Sequence, residues 1–371
     1  MIYLYVIFSS VYFAYVASKS KHKETIVLYS LISLLIPCVV GGLRAHSVGI
    51  DTIVYGRRMF QDAMLAESMA DYIIGTRANE IGFKFVCYVA AKLTEHENGC
   101  YFAYQLCTVP CIYIGAWKHR KDFSMPLLLL IWYFMLYLGT YNIMRQAVAA
   151  AVIFMEIDRL EKKQYFKFSI AIIIASMFHT SALIAFPTML GLHVFINSRF
   201  MPKSMIVKMI AGCALTALLM FLRPIMELIV LSLDVLAKYR SIVDAKQSTF
   251  QITSFLMYAG ELFMLLFYSK HAKHVFVHEG YNNFEFYKYN LLFALVFPLI
   301  IRMHNFAIRV LVYSTYLNCF VLAAFPLFSS KKHLKLVLMV IAVGASALYF
   351  IHIEIIRQQA GAWPYQSILS N

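Results

Sequence analysis

Asn142, Arg145 and Gln146 stand together just after Gly139-Thr140-Tyr141, a tight-turn sequence that closes one apolar run and opens the next. On a helix begun there, Asn142 and Arg145 are three apart and share a face. A guanidinium in the first helical turn adds its charge to the backbone N–H groups and the positive dipole end, and together these attract an anion. The alternative is an arginine that snorkels to a membrane interface. Phe178-His179-Thr180-Ser181 separates two further apolar runs. His179 is there either a general base, a donor to a phosphate oxygen, or a satisfied structural residue. Arg302 lies seven before Arg309, and Tyr313 four after it, so one helical face carries all three if the helix begins early. Two guanidiniums on one face repel unless an anion lies between them, and either a substrate or a carboxylate such as Glu261 fills that role. Asp51 and Glu80 are candidates for binding sugar hydroxyls or abstracting a proton, or are solvated loop acids.

Several chemistries lack their signature. There is no Asp-x-Asp pair for a divalent metal with a nucleotide sugar, and no Gly-x-x-x-x-Gly-Lys-Ser/Thr or Gly-x-Gly-x-x-Gly phosphate loop. His-Glu-x-x-His, the zinc protease motif, is missing too. An anion held by arginine, with no metal at the site, no cofactor and no nucleotide, is the expectation. Guanidinium forks suit that task because they meet phosphate or carboxylate oxygens bidentately.

The elements that must position these residues are membrane spans. Of 371 residues, 61% are hydrophobic and 14% charged, against about 45–50% and 25% in soluble globular domains. The pattern predicts an all-α polytopic membrane protein forming a single domain over 1–371. About twelve spans are expected, near 2–18, 25–43, 98–116, 124–140, 142–159, 165–179, 181–197, 204–222, 251–269, 286–301, 305–328 and 333–352. Lysines gather in alternate loops, at Lys19, Lys21, Lys23, Lys118, Lys162, Lys163, Lys270, Lys273, Lys331 and Lys332, which places those loops in the cytoplasm and both termini outside. Most arginines fall on the opposite side or inside spans, including Arg44, Arg57, Arg145, Arg223, Arg302, Arg309 and Arg357. The net charge of +14 is dispersed among loops, so it reads as topology signal and lipid contact rather than nucleic-acid binding. Ile81 to Leu93 is apolar but short, and counting it as a crossing would invert the lysine loop at 118–121; it is expected to be re-entrant or interfacial. External loops at 44–80 and 223–250 are long enough to carry a site. The seven cysteines read as small buried apolar residues.

Gly42-Leu43-Arg44, Val48-Gly49-Ile50-Asp51-Thr52 with Tyr55, and Glu80-x-Gly82-Phe83 occur in that order, followed by Asn142-x-x-Arg145-Gln146-Ala147 and Ala175-Ser176-x-Phe178-His179-x-Ser181-Ala182-Leu183. From about residue 25 to 190 this pattern resembles the EpsG family of Wzy-like polysaccharide polymerases of bacterial inner membranes. The final third is similar mainly in hydropathy and in its arginines. The resemblance implies a glycosyltransferase that moves a growing chain from undecaprenyl diphosphate onto the non-reducing end of a fresh lipid-linked repeat unit, at the periplasmic or outer face. It implies membrane lipids and a chain-length regulator protein as partners. On that reading Arg145, Arg302 and Arg309 bind the diphosphate, Arg44 makes a further phosphate or sugar contact, and Asp51 or His179 is the base. Glu80 and Tyr55 bind sugar, with Asn142, Gln146 and Tyr313 lining the same site. An O-antigen ligase using the same donor, or a flippase of lipid-linked oligosaccharide, remains open. The flippase alternative predicts charge reachable from both faces and internal repeats, whereas the polar groups here gather on one side and no repeat is visible.

Overall fold

The computed structural model describes residues 1–75, 80–198, 252–301 and 304–370. Helices α1 (Ile2–Lys19) and α2 (Lys23–Gly42) form an antiparallel pair. A loop with a π-turn at Thr52–Gly56 leads to the short helices α3 (Arg57–Leu65) and α4 (Met69–Gly75). Then come α5 (Ile81–Thr94), α6 (Glu97–Lys118), α7 (Met125–Trp132, continued as a π-turn over Tyr133–Tyr137), α8 (Gly139–Asn142), α9 (Met144–Met155), α10 (Ile157–Glu161) and α11 (Tyr165–Ser176). Residues 180–196 descend as a 3-10 turn (Thr180–Ile184), a π-turn (Phe186–Gly191) and a short helix (Leu192–Ile196). The later helices are Ile252–Phe267, Ser269–Val275, Phe284–Ile301, His304–Ala324 and Lys332–Phe350. Among the described residues the one sheet is a hairpin of β1 (Val277–His278) and β2 (Tyr281–Asn282). The chain is thus an all-α membrane protein, as expected.

Burial shows which helices are inside. The Arg309–Phe328 segment is 83% buried, whereas the apolar windows of α1, α2 and Lys332–Ile356 are about one-third buried or less. The first is the central post; the other three leave Tyr5, Phe8, Leu28, Leu35, Leu336 and Leu348 facing outward as a lipid-contacting surface. Small side chains let α9 sit close to its neighbours: Ala147, Ala149, Ala150 and Ala151 are all essentially fully buried, the usual means of close approach between membrane helices.

Four helices among the described residues are long and apolar enough for a full crossing, or five if the Ile252–Phe267 and Ser269–Val275 pair, bent by 95°, counts as one. That is fewer than the twelve expected, for a physical reason. Met125–Tyr137, Tyr165–Ser176 and Thr180–Ile196 are apolar but broken short, and α6 carries polar Asn98, Gln105 and Thr108 at buried positions. The expected span at 204–222, the loop at 223–250 and Arg302 lie outside the described residues.

The two ends of the bundle differ in charge. At one end Lys118 pairs with Glu156 and Asp158, and Lys162 with Asp158 and Glu279. At the other end the C-terminal tail folds back over the first loop. Ala45 N–H donates to Gln366 O at 2.8 Å, Gly49 N–H to Gly361 O at 2.9 Å, and Tyr3 OH to Ala362 O at 2.7 Å. The N-terminus and the tail therefore share the lysine-poor end. Helix α5 begins and finishes there too. Gly82 N–H donates to Met177 O at 2.8 Å, while α5 turns directly into α6, whose Asn98 donates to the carbonyls of Gly42 and Arg44. With 14 residues α5 is about 21 Å long, short of a hydrocarbon core of about 30 Å.

Candidate active site

Asp51 is placed by the loop before the π-turn, where Gly49 has φ +95° and packs so tightly that a Cβ would stand 2.5 Å from Tyr141 O. Only glycine satisfies both demands. From there Asp51 Oδ2 accepts the Met144 N–H at 3.1 Å. Asp51 thereby caps α9, whose first N–H groups have no partner within the helix. Tyr55, four residues on, donates its hydroxyl to the same oxygen. Burial pushes the Asp51 carboxyl up to about 6, against the opposing pull of the Tyr55 hydrogen bond, the Arg145 charge, the Met144 N–H and the Arg309 charge. Among the described residues Oδ1 has no hydrogen bond and is not fully enclosed, so one carboxylate oxygen is open.

Arg145 lies in the first turn of α9. Its Nη1 donates to Glu80 Oε2 at 2.9 Å, and its guanidinium carbon sits 4.7 Å from the Tyr55 ring centre and 5.6 Å from that of Phe83. Its Nε is buried and unpartnered among the described residues. Glu80 is buried just before α5, whose start packs closely on the bend after α11: a Cβ at Gly82 would press on the Met177 carbonyl. Asn142, expected on the same helical face as Arg145, is not. Ile143 (φ −119°, ψ 47°) breaks the helix between them, and Asn142 ends α8 with its amide 3.4 Å from Gln359 O. The reason is Asp51, which takes the place of a cap and starts α9 anew at Met144.

Gln146 donates to Ser181 Oγ at 3.1 Å and to Arg309 O at 2.6 Å. Ser181 Oγ is 2.8 Å from Tyr313 OH and 2.7 Å from His179 Nδ1, and the Ser181 N–H also donates to that nitrogen at 3.2 Å. These directions fix the network. With Nδ1 accepting from the backbone N–H, the neutral ring carries its hydrogen on Nε2. His179 is thus a donor at its free nitrogen, and as a base it has no lone pair to spare. In the turn after α11, burial pushes its pKa down to about 4, with Glu80 raising and Arg145 and Arg309 lowering it. Arg309 is exposed and acts electrostatically on both Asp51 and His179. It has no carboxylate partner among the described residues.

Arg44 sits apart from this group. It is 0% exposed, with its guanidinium carbon 4.5 Å from the Tyr101 ring centre and 4.6 Å from that of Tyr141. Its nitrogens donate to Gly41 O and lie 3.4 Å from Thr52 Oγ1 and 3.2 Å from Met144 Sδ. The substrate contact expected of Arg44 is replaced by a bracing position under the first loop. The Met144 N–H carries no signal in the sequence, whereas Ser181 stands within the His179 motif. Glu261, the alternative counter-ion for Arg309, has both carboxylate oxygens buried without a hydrogen bond among the described residues.

Asp51, Tyr55, Glu80, Arg145, Gln146, His179, Arg309 and Tyr313 thus converge on the lysine-poor end from five separate stretches of chain. Comparison with known families and proteins bears on what such a cluster serves. No curated protein and no solved structure matches the chain. The EpsG family matches residues 26–367, which includes every segment of the cluster and the C-terminal tail folded over it. The chain therefore belongs to the EpsG family, whose members are Wzy-like polysaccharide polymerases.

Proposed function

We propose that this chain polymerises surface polysaccharide by moving a glycan from a polyprenyl-diphosphate carrier, undecaprenyl diphosphate, onto the non-reducing end of a second lipid-linked repeat unit. The acceptor hydroxyl gives its proton to Asp51 Oδ1 while its oxygen bonds to the anomeric carbon. The bond from that carbon to the diphosphate breaks, and the electron pair leaves with the diphosphate. Arg309, Arg145 and the His179 Nε2–H meet the charge that develops there, so no metal is required for the step. Tyr55 OH supports Asp51 before transfer, and Glu80 fixes Arg145 and takes sugar hydroxyls.

The observation that carries this reading is an open Asp51 carboxylate oxygen within electrostatic reach of Arg309, which has no carboxylate partner among the described residues. The charges of Arg145 and Arg309 both act on Asp51, so base and leaving-group contact belong to one electrostatic neighbourhood. Lysines mark the far end, so the site faces the periplasm or cell exterior of a bacterial inner membrane. Deleting the gene and running surface glycan on a gel tests the reading. Loss of a polymerase leaves a single capped repeat, which is the expected result. Full-length chains retained on the carrier would indicate a ligase, and no glycan outside would indicate a flippase.

A further inference from the structure

A second cluster lies at the lysine-rich end, separated from the candidate active site by the length of α9, about 18 Å for its 12 residues. His119 caps the C-terminus of α6, Glu161 closes α10 and His278 stands on β1. All three are buried, at 0%, 2% and 5% exposure. One potential ligand atom from each lies within 4.8 Å of the others. The two imidazole rings stack with centroids 4.6 Å apart.

Hydrogen bonds fix which atoms are available. His119 Nδ1 is 2.9 Å from Gly115 O, and a carbonyl only accepts, so that nitrogen carries a hydrogen. His119 Nε2 is 2.6 Å from Glu161 Oε2, so one proton is held between them whichever atom bears it. The other Glu161 oxygen accepts the Tyr287 hydroxyl at 2.7 Å. His278 Nδ1 donates to Asp122 Oδ2 at 2.5 Å. Its Nε2 lone pair is left buried and without a hydrogen-bond partner among the described residues.

From this geometry we infer that His119 Nε2, His278 Nε2 and a Glu161 oxygen form a binding site for one divalent transition-metal ion of the zinc class. Two imidazoles and a carboxylate are the donor set such an ion takes, with a further position left for water. Each ligand is already oriented by an outer partner: Gly115 O and Asp122 hold the two rings through Nδ1, and Tyr287 holds Glu161. Zinc bonds of about 2.0–2.2 Å put tetrahedral ligand atoms roughly 3.3 Å apart. The His119–Glu161 pair widens slightly to reach this, and the His278 ring closes in. The ion displaces the single proton shared by His119 and Glu161, which is released to solvent. Its remaining positive charge faces Asp122. Bound there, it ties the end of α6, α10 and the hairpin together.

Full-length protein, purified in detergent through an affinity tag without histidine and stripped of metal, is dialysed against zinc chloride buffered at sub-micromolar free concentration. The expected result is one zinc per wild-type chain, with release of about one proton per ion in weakly buffered solution. Cobalt(II) in its place gives the visible absorption of a four-coordinate ion. His278→Ala loses the bound zinc, and Asp122→Asn, which leaves all three ligands in place, weakens binding about 10- to 100-fold. Monodisperse wild-type protein that takes up no zinc would overturn the inference and leave a proton-linked histidine–carboxylate knot. Equal uptake by wild type, His278→Ala and Asp122→Asn would overturn it as well, since the cysteines would then be the binders. Should His278→Ala fail to fold, the Asp122→Asn isotherm and the wild-type proton count decide between these outcomes.

Discussion

Replacing Arg145 with lysine keeps the charge and removes the fork. In the structure Arg145 spends one nitrogen on Glu80 at 2.9 Å, lays its plane near Tyr55 and Phe83, and keeps a buried Nε unpartnered among the described residues. A lysine reaches Glu80 or a diphosphate oxygen, but not both, and its stacking on Tyr55 is weaker. The charge-assisted bond is worth about 1.5–3 kcal/mol, and the ring contact about 0.5–1 kcal/mol. The sum, about 2–4 kcal/mol, corresponds to a roughly 30- to 1,000-fold loss of polymerisation rate. Rates are read from polymer formed by reconstituted protein, with membrane levels matched. A cycle with Glu80→Gln separates two origins of that loss. If Arg145 also contacts the substrate, Arg145→Lys still costs about 1–2 kcal/mol, or roughly 5- to 30-fold, in the Glu80→Gln background. Near-normal polymer from Arg145→Lys would refute the reasoning outright. No further loss in the double variant would confine Arg145 to holding Glu80.

Four other outcomes are expected. Polymerisation should fall as pH drops through about 6, the value to which burial raises Asp51, because the base must be ionised; an acid limb near 4 in the pH–rate profile would contradict this. The same raised value means that Asp51 favours folding below its ordinary pKa of about 4 and that this contribution is lost as pH rises through 6, a trend that thermal melts of wild type and Asp51→Asn should reveal. Arg44→Ala should destabilise the protein by about 3–5 kcal/mol, by emptying the space between Tyr101 and Tyr141, and protein that accumulates and melts normally would contradict its bracing position. Impermeant thiol reagents, applied to single-cysteine variants in a cysteine-free background, should label positions 51 and 357 from outside and leave 118, 162, 270 and 332 unlabelled; labelling at 118 would invert the middle of the topology.

Much of the site was legible in the sequence because its residues come in local clusters whose chemistry is unusual for an apolar chain. Arg145 with Gln146, His179 with Ser181, and Arg309 with Tyr313 are each held within one helical turn or one sharp bend, so spacing alone reveals the pair. What could not be read were contacts between distant segments that decide roles. Nothing local marks Arg44 as enclosed by Tyr101 and Tyr141, more than fifty residues away, so an arginine beside a loop reads as a ligand contact. Nor does the Asn142-x-x-Arg145 spacing reveal that Asp51 supplies the cap that starts α9 at Met144. Periodicity located most helices, while the π-turns at Tyr133–Tyr137 and Phe186–Gly191 change helical register without changing hydropathy. No spacing motif joins His119, Glu161 and His278 either, because they lie on three segments far apart in the sequence.

The central claim is that Asp51 takes the acceptor proton at a site where arginines hold the departing diphosphate. Asparagine caps a helix as well as aspartate does, so Asp51→Asn retains the bond from Met144 N–H and removes the base. Purified wild-type protein and this variant, given lipid-linked repeat units in the same detergent, should differ in one respect. Wild type builds a ladder of polymer, whereas Asp51→Asn folds and binds the lipid-linked donor with unchanged affinity and leaves single repeats, with transfer slower by about 100- to 10,000-fold. A ladder of normal length and rate from Asp51→Asn would contradict the account.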